Sequence, residues 1–136
     1  MSECIFCKIA RGEARAWKVY EDETVLAFLD INPVNAYHTL VIPKQHYENI
    51  FDVPEQTLRE VISVVRVLSL RYQDRLGVRN VQILNSSGAE AQQDVFHLHF
   101  HIVPRHKGDR QNITRRTHPE MSADFERLLA QLRDPS

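Results

Sequence analysis

The chain has 136 residues, of which 43% are hydrophobic and 26% charged, and a formal net charge of −1. That length suits one domain around one core. A charge near zero supplies no global field to gather nucleic acid or an anionic membrane, and no run of about 18 apolar residues offers a bilayer span. The N-terminal MSECIFCKIARGE lacks the basic and long apolar regions of a secretory signal, so the expected compartment is the cytoplasm. The expected partners include neither nucleic acid nor membrane.

Ala16 to Tyr20 and Thr24 to Leu29, joined by polar residues, predict a two-strand hairpin stopped at Asn32-Pro33. His38 to Pro43 predicts a third strand, bounded by a proline that cannot continue a ladder. From Pro54 to Leu76 the residues Leu58, Val61, Ile62, Val65, Leu68, Tyr72 and Leu76 keep helical spacing, from a proline suited to a first turn to a stop at Gly77. Val67 and Leu70 fall on the far side of this long helix, where they are available to a second subunit. Val78 to Asn85 and Phe96 to Val103 predict two more strands, and Ser122 to Arg133 a short terminal helix. The expected class is α+β: an antiparallel sheet of about five strands with one long helix and short terminal helices. Residues 1–136 form a single domain with its core at about 4–105. The basic extension, 106–136, follows. Pro104 to His118 carries Arg105, Lys107, Arg110, Arg115 and Arg116 against Asp109 alone, which reads as a solvated, mobile segment or as a local attraction for anions.

The chemistry concentrates in FHLHFHIVPR, Phe96 to Arg105. His97, His99 and His101 alternate with Leu98, Phe100 and Ile102, so on an extended strand the imidazoles share one face and the apolar residues the other. In that geometry His97 and His101 start roughly 13 Å apart, too far to hold one ion at metal–nitrogen distances of about 2.0–2.1 Å. The row therefore suits divided duties at phosphorus: one nucleophile, with flanking donors for oxygen charge. Cys4 and Cys7 are the two cysteines, a reduced pair that supplies half a zinc site.

HLHFHIVPR resembles the H-x-H-x-H signature of the histidine-triad hydrolases and transferases. FLDINPVNAYHTLVIPKQHYENI (Phe28 to Ile50) and CIFCKI (Cys4 to Ile9) are similar to that family's other blocks. The resemblance implies a histidine-triad fold and a homodimer. It further implies a Hint-like purine nucleoside phosphoramidase that uses His99 as nucleophile and passes through a nucleotidyl-histidine intermediate. Dinucleoside polyphosphate cleavage and nucleotide-dependent regulation with slow catalysis are the alternatives. His101, His38 and Gln93 complete the implied catalytic set. Asn85 and the backbone around Asp94 and Val95 lie near the phosphate, Asp30 holds the ribose hydroxyls, and Ile5, Phe6, Ile9, Phe28 and Ile31 form a slot for a purine such as that of AMP. Cys4, Cys7, His46 and His97 resemble the ligands of one structural zinc per chain, found in the bacterial branch that carries C-x-x-C. A metalloenzyme using His99 and His101 as ligands is the rival. Gln92 and Tyr37 stand where many relatives have smaller residues, and the expectation is that they crowd the phosphate loop and the pocket edge.

Overall fold

The computed structural model of the protein describes residues 4–133. Helix α1 covers Ile5–Ala10, followed by strands β1 (Lys18–Glu21), β2 (Val25–Leu29) and β3 (Thr39–Pro43). The long helix α2 covers Glu55–Leu76, strands β4 and β5 cover Val81–Leu84 and Phe100–Pro104, and α3 covers Phe125–Leu132. The five strands form one antiparallel sheet in the order β1-β2-β3-β5-β4. The fold class is α+β, as the sequence predicts.

Both faces of the central strands are covered, which explains why VLAFL and TLVIP read as nearly continuous apolar runs instead of clean alternation. Ala27, Val41 and Phe100 neighbour one another in the sheet and belong to the core packed by Val61, Val64, Val65, Leu68 and Tyr72 of α2. On the opposite face Leu26, Phe28, Leu40 and Ile42 pack with Phe6 and Ile9 of α1. His101 pairs with Leu40, and Leu40 with Phe28. His101 therefore shares the α1 face, where the side chains needed for chemistry collect.

Pro54 caps α2 at its N-terminus, and Gly77 closes it in the left-handed region at φ 70°, a conformation that costs a residue without a Cβ little. The helix turns differently from its predicted stripe. Val64 is buried, whereas Ile62 and Leu76, expected on the core face, are exposed beside Val67 and Leu70. Helical spacing bounds such a stripe only to within a residue at its edges. The triad segment also departs from a single strand: Phe96 and His97 lie in a bend, and the ladder begins at Phe100. Leu98, Phe100 and Ile102 are nonetheless all buried.

Candidate active site and metal centre

The bend before β5 separates the three histidines into different surroundings. His97 is fully buried, and its Nε2 donates to the Pro43 carbonyl at 2.8 Å. Because a carbonyl only accepts, the neutral ring keeps its lone pair on Nδ1. That nitrogen lies 3.4 Å from Cys4 Sγ and 3.5 Å from Cys7 Sγ, while Cys7 Sγ lies 3.4 Å from His46 Nδ1. A tetrahedral zinc with bonds of about 2.3 Å to sulfur and 2.0–2.1 Å to nitrogen sets sulfur–nitrogen edges of about 3.6 Å. The four donors, all within 4.8 Å of one another, fit that ion. The Pro43 carbonyl is the outer partner that holds a ligating imidazole in register. Burial pushes the His97 imidazole down to about 4, opposed by its bond to Pro43, so the ring is neutral and able to ligate at ordinary pH.

Asp30, His38 and His101 also gather donor atoms within 4.8 Å, and here the hydrogen bonds argue against a metal. The Val34 amide donates to His38 Nδ1 at 3.1 Å, which places the imidazole hydrogen on Nε2. That hydrogen bridges 2.9 Å to His101 Nδ1, leaving His101 with its own hydrogen on Nε2. The arrangement is a relay of oriented imidazoles, not an open ligand set. Burial, aided by the charge of His99 and His38, pushes His101 down to about 4. Burial also lowers His38, against the opposing pull of Asp30, whose carboxylate is 3.5 Å away. Both rings are therefore neutral near pH 7.

His99 has the reverse orientation. Its Nδ1 donates to the His97 carbonyl at 2.8 Å, so in the neutral ring Nε2 carries the lone pair. The ring is 5% exposed, yet it lines a cavity of about 300 Å³. Asn85 Nδ2 braces this segment from behind by donating to the His99 carbonyl at 2.9 Å. The Phe6 ring lies edge-on to both His97 and His99, with centroids 5.8 and 5.3 Å away. One apolar side chain thus packs against both a histidine of the Cys–His cluster and the histidine that lines the cavity.

The cavity is lined by Ile5, Phe6, Ile9, Phe28, Asp30, Ile31, Asp94, Val95, His99 and His101 from the expected set. Arg15, Ala16, Leu29, Asn32 and Leu40 line it as well and were not singled out from the sequence. Leu40 was legible through its place in the apolar run of β3. Arg15, whose guanidinium sits 5.0 Å from the centre of the Trp17 ring, carried no motif.

Gln93 and Asn85 are close to the cavity without lining it. Gln93 is buried; its Nε2 donates to the Glu48 carbonyl at 2.7 Å and the Val95 carbonyl at 3.1 Å, and its Oε1 accepts from the Gly88 amide at 2.8 Å. Its amide thus holds the loop that carries Asp94 and Val95. The Val95 amide is engaged by the Asp94 carboxylate at 2.8 Å, and the same Asp94 oxygen lies 3.7 Å from His99 Nε2. An exposed carboxylate therefore stands between an amide donor and the free imidazole nitrogen.

Two sequence expectations change. Tyr37 lies on the α2 side, against Tyr72 with ring centroids 6.1 Å apart, and does not line the cavity beside His99. Gln92 is exposed in the left-handed region at φ 73°, also outside that cavity. Neither crowds the pocket, because each occupies a turn whose backbone aims its side chain elsewhere. The sequence places Arg105 in a basic segment that is either mobile and solvated or locally attractive to anions. Instead it forms a two-bond pair with Asp109, Nε at 2.7 Å and Nη2 at 2.9 Å, which neutralises its charge and fixes residues 104–109 against the sheet.

A model of the HIT domain matches residues 11–108. The chain is 39% identical over 108 residues to the adenylylsulfatase HINT3 of Arabidopsis thaliana, covering 79% of this chain and 55% of that protein. A HIT family protein from Bacillus anthracis superposes with a TM-score of 0.90 at 34% identity, covering 99% of this chain and 98% of the other. A zinc-bound histidine triad family protein from Mycobacterium smegmatis superposes with a TM-score of 0.77 at 38% identity, covering 98% of each chain.

Proposed function

The chain belongs to the HIT-domain, or histidine-triad, family, and on that premise we propose that it is a nucleotide hydrolase of the purine nucleoside phosphoramidase kind, acting through a nucleotidyl intermediate on His99. The observation that carries this reading is the His99 ring itself, with Nδ1 committed to the His97 carbonyl and Nε2 facing the cavity. In its neutral form an imidazole so oriented presents its lone pair on the cavity side.

In the proposed reaction the purine enters the slot formed by Ile5, Phe6, Ile9, Phe28 and Ile31, which offers flat apolar contact. Asp30 accepts hydrogen bonds from the ribose hydroxyls. His99 Nε2 attacks the α-phosphorus and the phosphorus–nitrogen bond breaks, with water supplying the proton that the departing amine requires. His101 Nε2–H donates to a phosphoryl oxygen, where negative charge gathers. Being neutral, His101 serves as a hydrogen-bond donor; His38 orients it. Attack on phosphorus by the hydroxide left from that proton transfer then breaks the bond from His99, restores neutral His99 and releases the nucleoside monophosphate. Gln93 and Asn85 act from behind by holding the loop and the His99 backbone.

One structural zinc per chain on Cys4, Cys7, His46 and His97 ties α1 to the sheet in this reading. When bound, it contributes stability and leaves no position for substrate. Reduced thiols in that role suit the cytoplasm. A second copy of the chain covers the exposed apolar residues Ile62, Val67 and Leu70 of α2 with Val81 and Ile83 of β4, an edge strand. A cavity of about 300 Å³ is at the small end for ligand sites and suits one nucleoside better than a dinucleoside polyphosphate. The likeness to an adenylylsulfatase favours a second substrate of the same chemistry, in which a sulfate leaves the α-phosphorus in place of an amine.

Intact mass after rapid quench with adenosine phosphoramidate tests the mechanism. The expected result is a nucleotidyl adduct on the wild type and none on His99→Ala, whose turnover falls by at least about 10⁴-fold. Equal turnover in both, with no adduct, overturns the proposal.

A further inference from the structure

The hydrogen bond between His38 and His101 transmits one fact: which nitrogen of each ring carries the hydrogen. Two neighbours of His38 set it: the Val34 amide, which donates to Nδ1 at 3.1 Å, and the Asp30 carboxylate, which lies 3.5 Å from Nε2. Val34 is exposed, in a loop between Asp30 and His38 that contributes no residue to a strand. The loop is closed on itself by the Asp30 amide on the His38 carbonyl at 2.9 Å and the His38 amide on the Asn35 carbonyl at 3.2 Å, bonds that leave the Val34 amide itself to be placed by the loop's anchors. Its anchors come from beyond the histidine motif. Asn35 Nδ2 donates to the Pro104 carbonyl at 2.9 Å and to Asp109 Oδ2 at 2.9 Å. Gln111 Nε2 donates to the carbonyl of Val34 itself at 3.1 Å.

The segment that supplies these anchors is braced independently of the loop. The Asp109 side chain is 4% exposed. Besides the two bonds from Arg105, it accepts from the amides of His106 and Gln111, both at 3.1 Å. The Arg105 guanidinium beside it holds its carboxyl well below the usual carboxylate range. Arg105 is in turn fixed by Gln82 Oε1 of β4 at 2.9 Å. The loop thus docks on a rigid block tied to the sheet.

We propose that Asp109, Asn35 and Gln111 are positioning residues that hold the Val34 amide on His38 Nδ1 and thereby select the tautomers of His38 and His101. The inference rests on the assignment of His99 and His101 to phosphorus chemistry, and it gives the residues just after the motif a part in that chemistry. A brace that served stability alone would change melting and leave the tautomers as they are.

The test combines nitrogen-15 NMR of histidine-labelled protein with steady-state kinetics on a nucleoside phosphoramidate. In the wild type, His38 gives the signature of an unprotonated Nδ1 accepting a hydrogen bond and a protonated Nε2. Asn35→Ala and Gln111→Ala are expected to give a mixture of both tautomers at His38, with kcat lowered about 10-fold and KM changed by less than about 2-fold, the pattern of lost orientation. Asn112→Ala is the control: its side chain accepts from Arg105 Nη2 at 2.7 Å, and its removal is expected to leave both readouts unchanged. A single unaltered tautomer in Asn35→Ala and Gln111→Ala overturns the proposal, as does an equal effect in Asn112→Ala. If Asn35→Ala does not fold, Gln111→Ala decides alone, since among the described residues the hydrogen bond of its side-chain amide is to the Val34 carbonyl. The NMR readout needs no substrate. A wild type inert toward phosphoramidates therefore counts against the proposed function, and the tautomer result still decides this inference.

Discussion

His97 and His99 are two residues apart and both buried, yet one faces a cluster of donor atoms able to hold a metal and the other lines the cavity. The difference lies in the second nitrogen. His97 gives Nε2–H to the Pro43 carbonyl and turns Nδ1 to the thiols; His99 gives Nδ1–H to the His97 carbonyl and turns Nε2 to the cavity. A backbone carbonyl thus selects the working atom in each case, and the bend at Phe96 and His97 aims the two rings apart. His101 is a third case, with Nδ1 accepting from another histidine and Nε2–H left to donate. Identical side chains acquire three roles through their partners.

The strongest way to break this comparison is to disable the metal half. Cys4→Ser removes one thiolate from the set, and the expected cost is at least about 3 kcal/mol, a fall of roughly 10 °C in melting temperature for a chain of this size. Zinc bound per chain falls with it, while kcat of the fraction that remains folded changes little. Loss of kcat on zinc removal from protein that stays folded would instead join the two halves into one metalloenzyme site.

A comparable effect is expected from pH at the relay. His101 is neutral when folded, with its pKa pushed from 6.5 to about 4, so the unfolded chain binds the extra proton first. The resulting stability is complete above pH 6.5 and is lost as pH falls through 6.5 towards 4. The full shift corresponds to roughly 3 kcal/mol. Melting curves of wild type and His101→Asn between pH 7 and pH 4.5 should therefore converge as pH falls; parallel curves would show that His101 is already charged in the folded protein.

Asp94 sharpens the cavity side of the comparison. Its carboxylate engages the Val95 amide beside His99, the place where a phosphate oxygen is expected. Asp94→Ala frees that amide and removes a like charge, and KM is expected to fall about 3- to 10-fold with kcat nearly constant, about 1 kcal/mol of binding. A raised KM would show that the carboxylate serves the substrate.

The smallest effect concerns Gln92, which is exposed and left-handed at φ 73°. Gln92→Gly relieves a conformation that glycine adopts freely, and a gain of about 0.5–1 kcal/mol in denaturant unfolding is expected, with activity unchanged. A loss of activity would show that the side chain reaches the phosphate loop after all.

Much of this architecture was legible in the residues. The long helix follows from apolar spacing closed by Pro54 and Gly77, and the strands from their apolar runs. Cys4, Cys7, His46 and His97, which gather their donor atoms into one cluster able to hold a metal, were named from the sequence, as were ten of the residues lining the cavity. What escaped acts through the backbone: the Pro43 and His97 carbonyls and the Val34 amide, groups that every non-proline residue or every residue carries and that no motif marks. Gln93 and Asn85 stood out as phosphate contacts by type and position, yet their amides are directed at loop backbone. An amide can serve either end, and sequence does not show which end it faces.

The sequence by itself determined that the histidines come as an alternating row with a buried apolar partner set, because side-chain direction in an extended segment depends only on residue parity. Only the tertiary structure decided how that row is divided. A ring nitrogen donates, accepts or ligates according to what faces it, and those partners arrive from α1, from β3 and from the loop before β3. Cys4, Pro43 and His101 are remote in the chain from the rings they meet, and even the nearby His97 carbonyl and Val34 amide reach their rings only through the bend and the loop that the folded protein fixes.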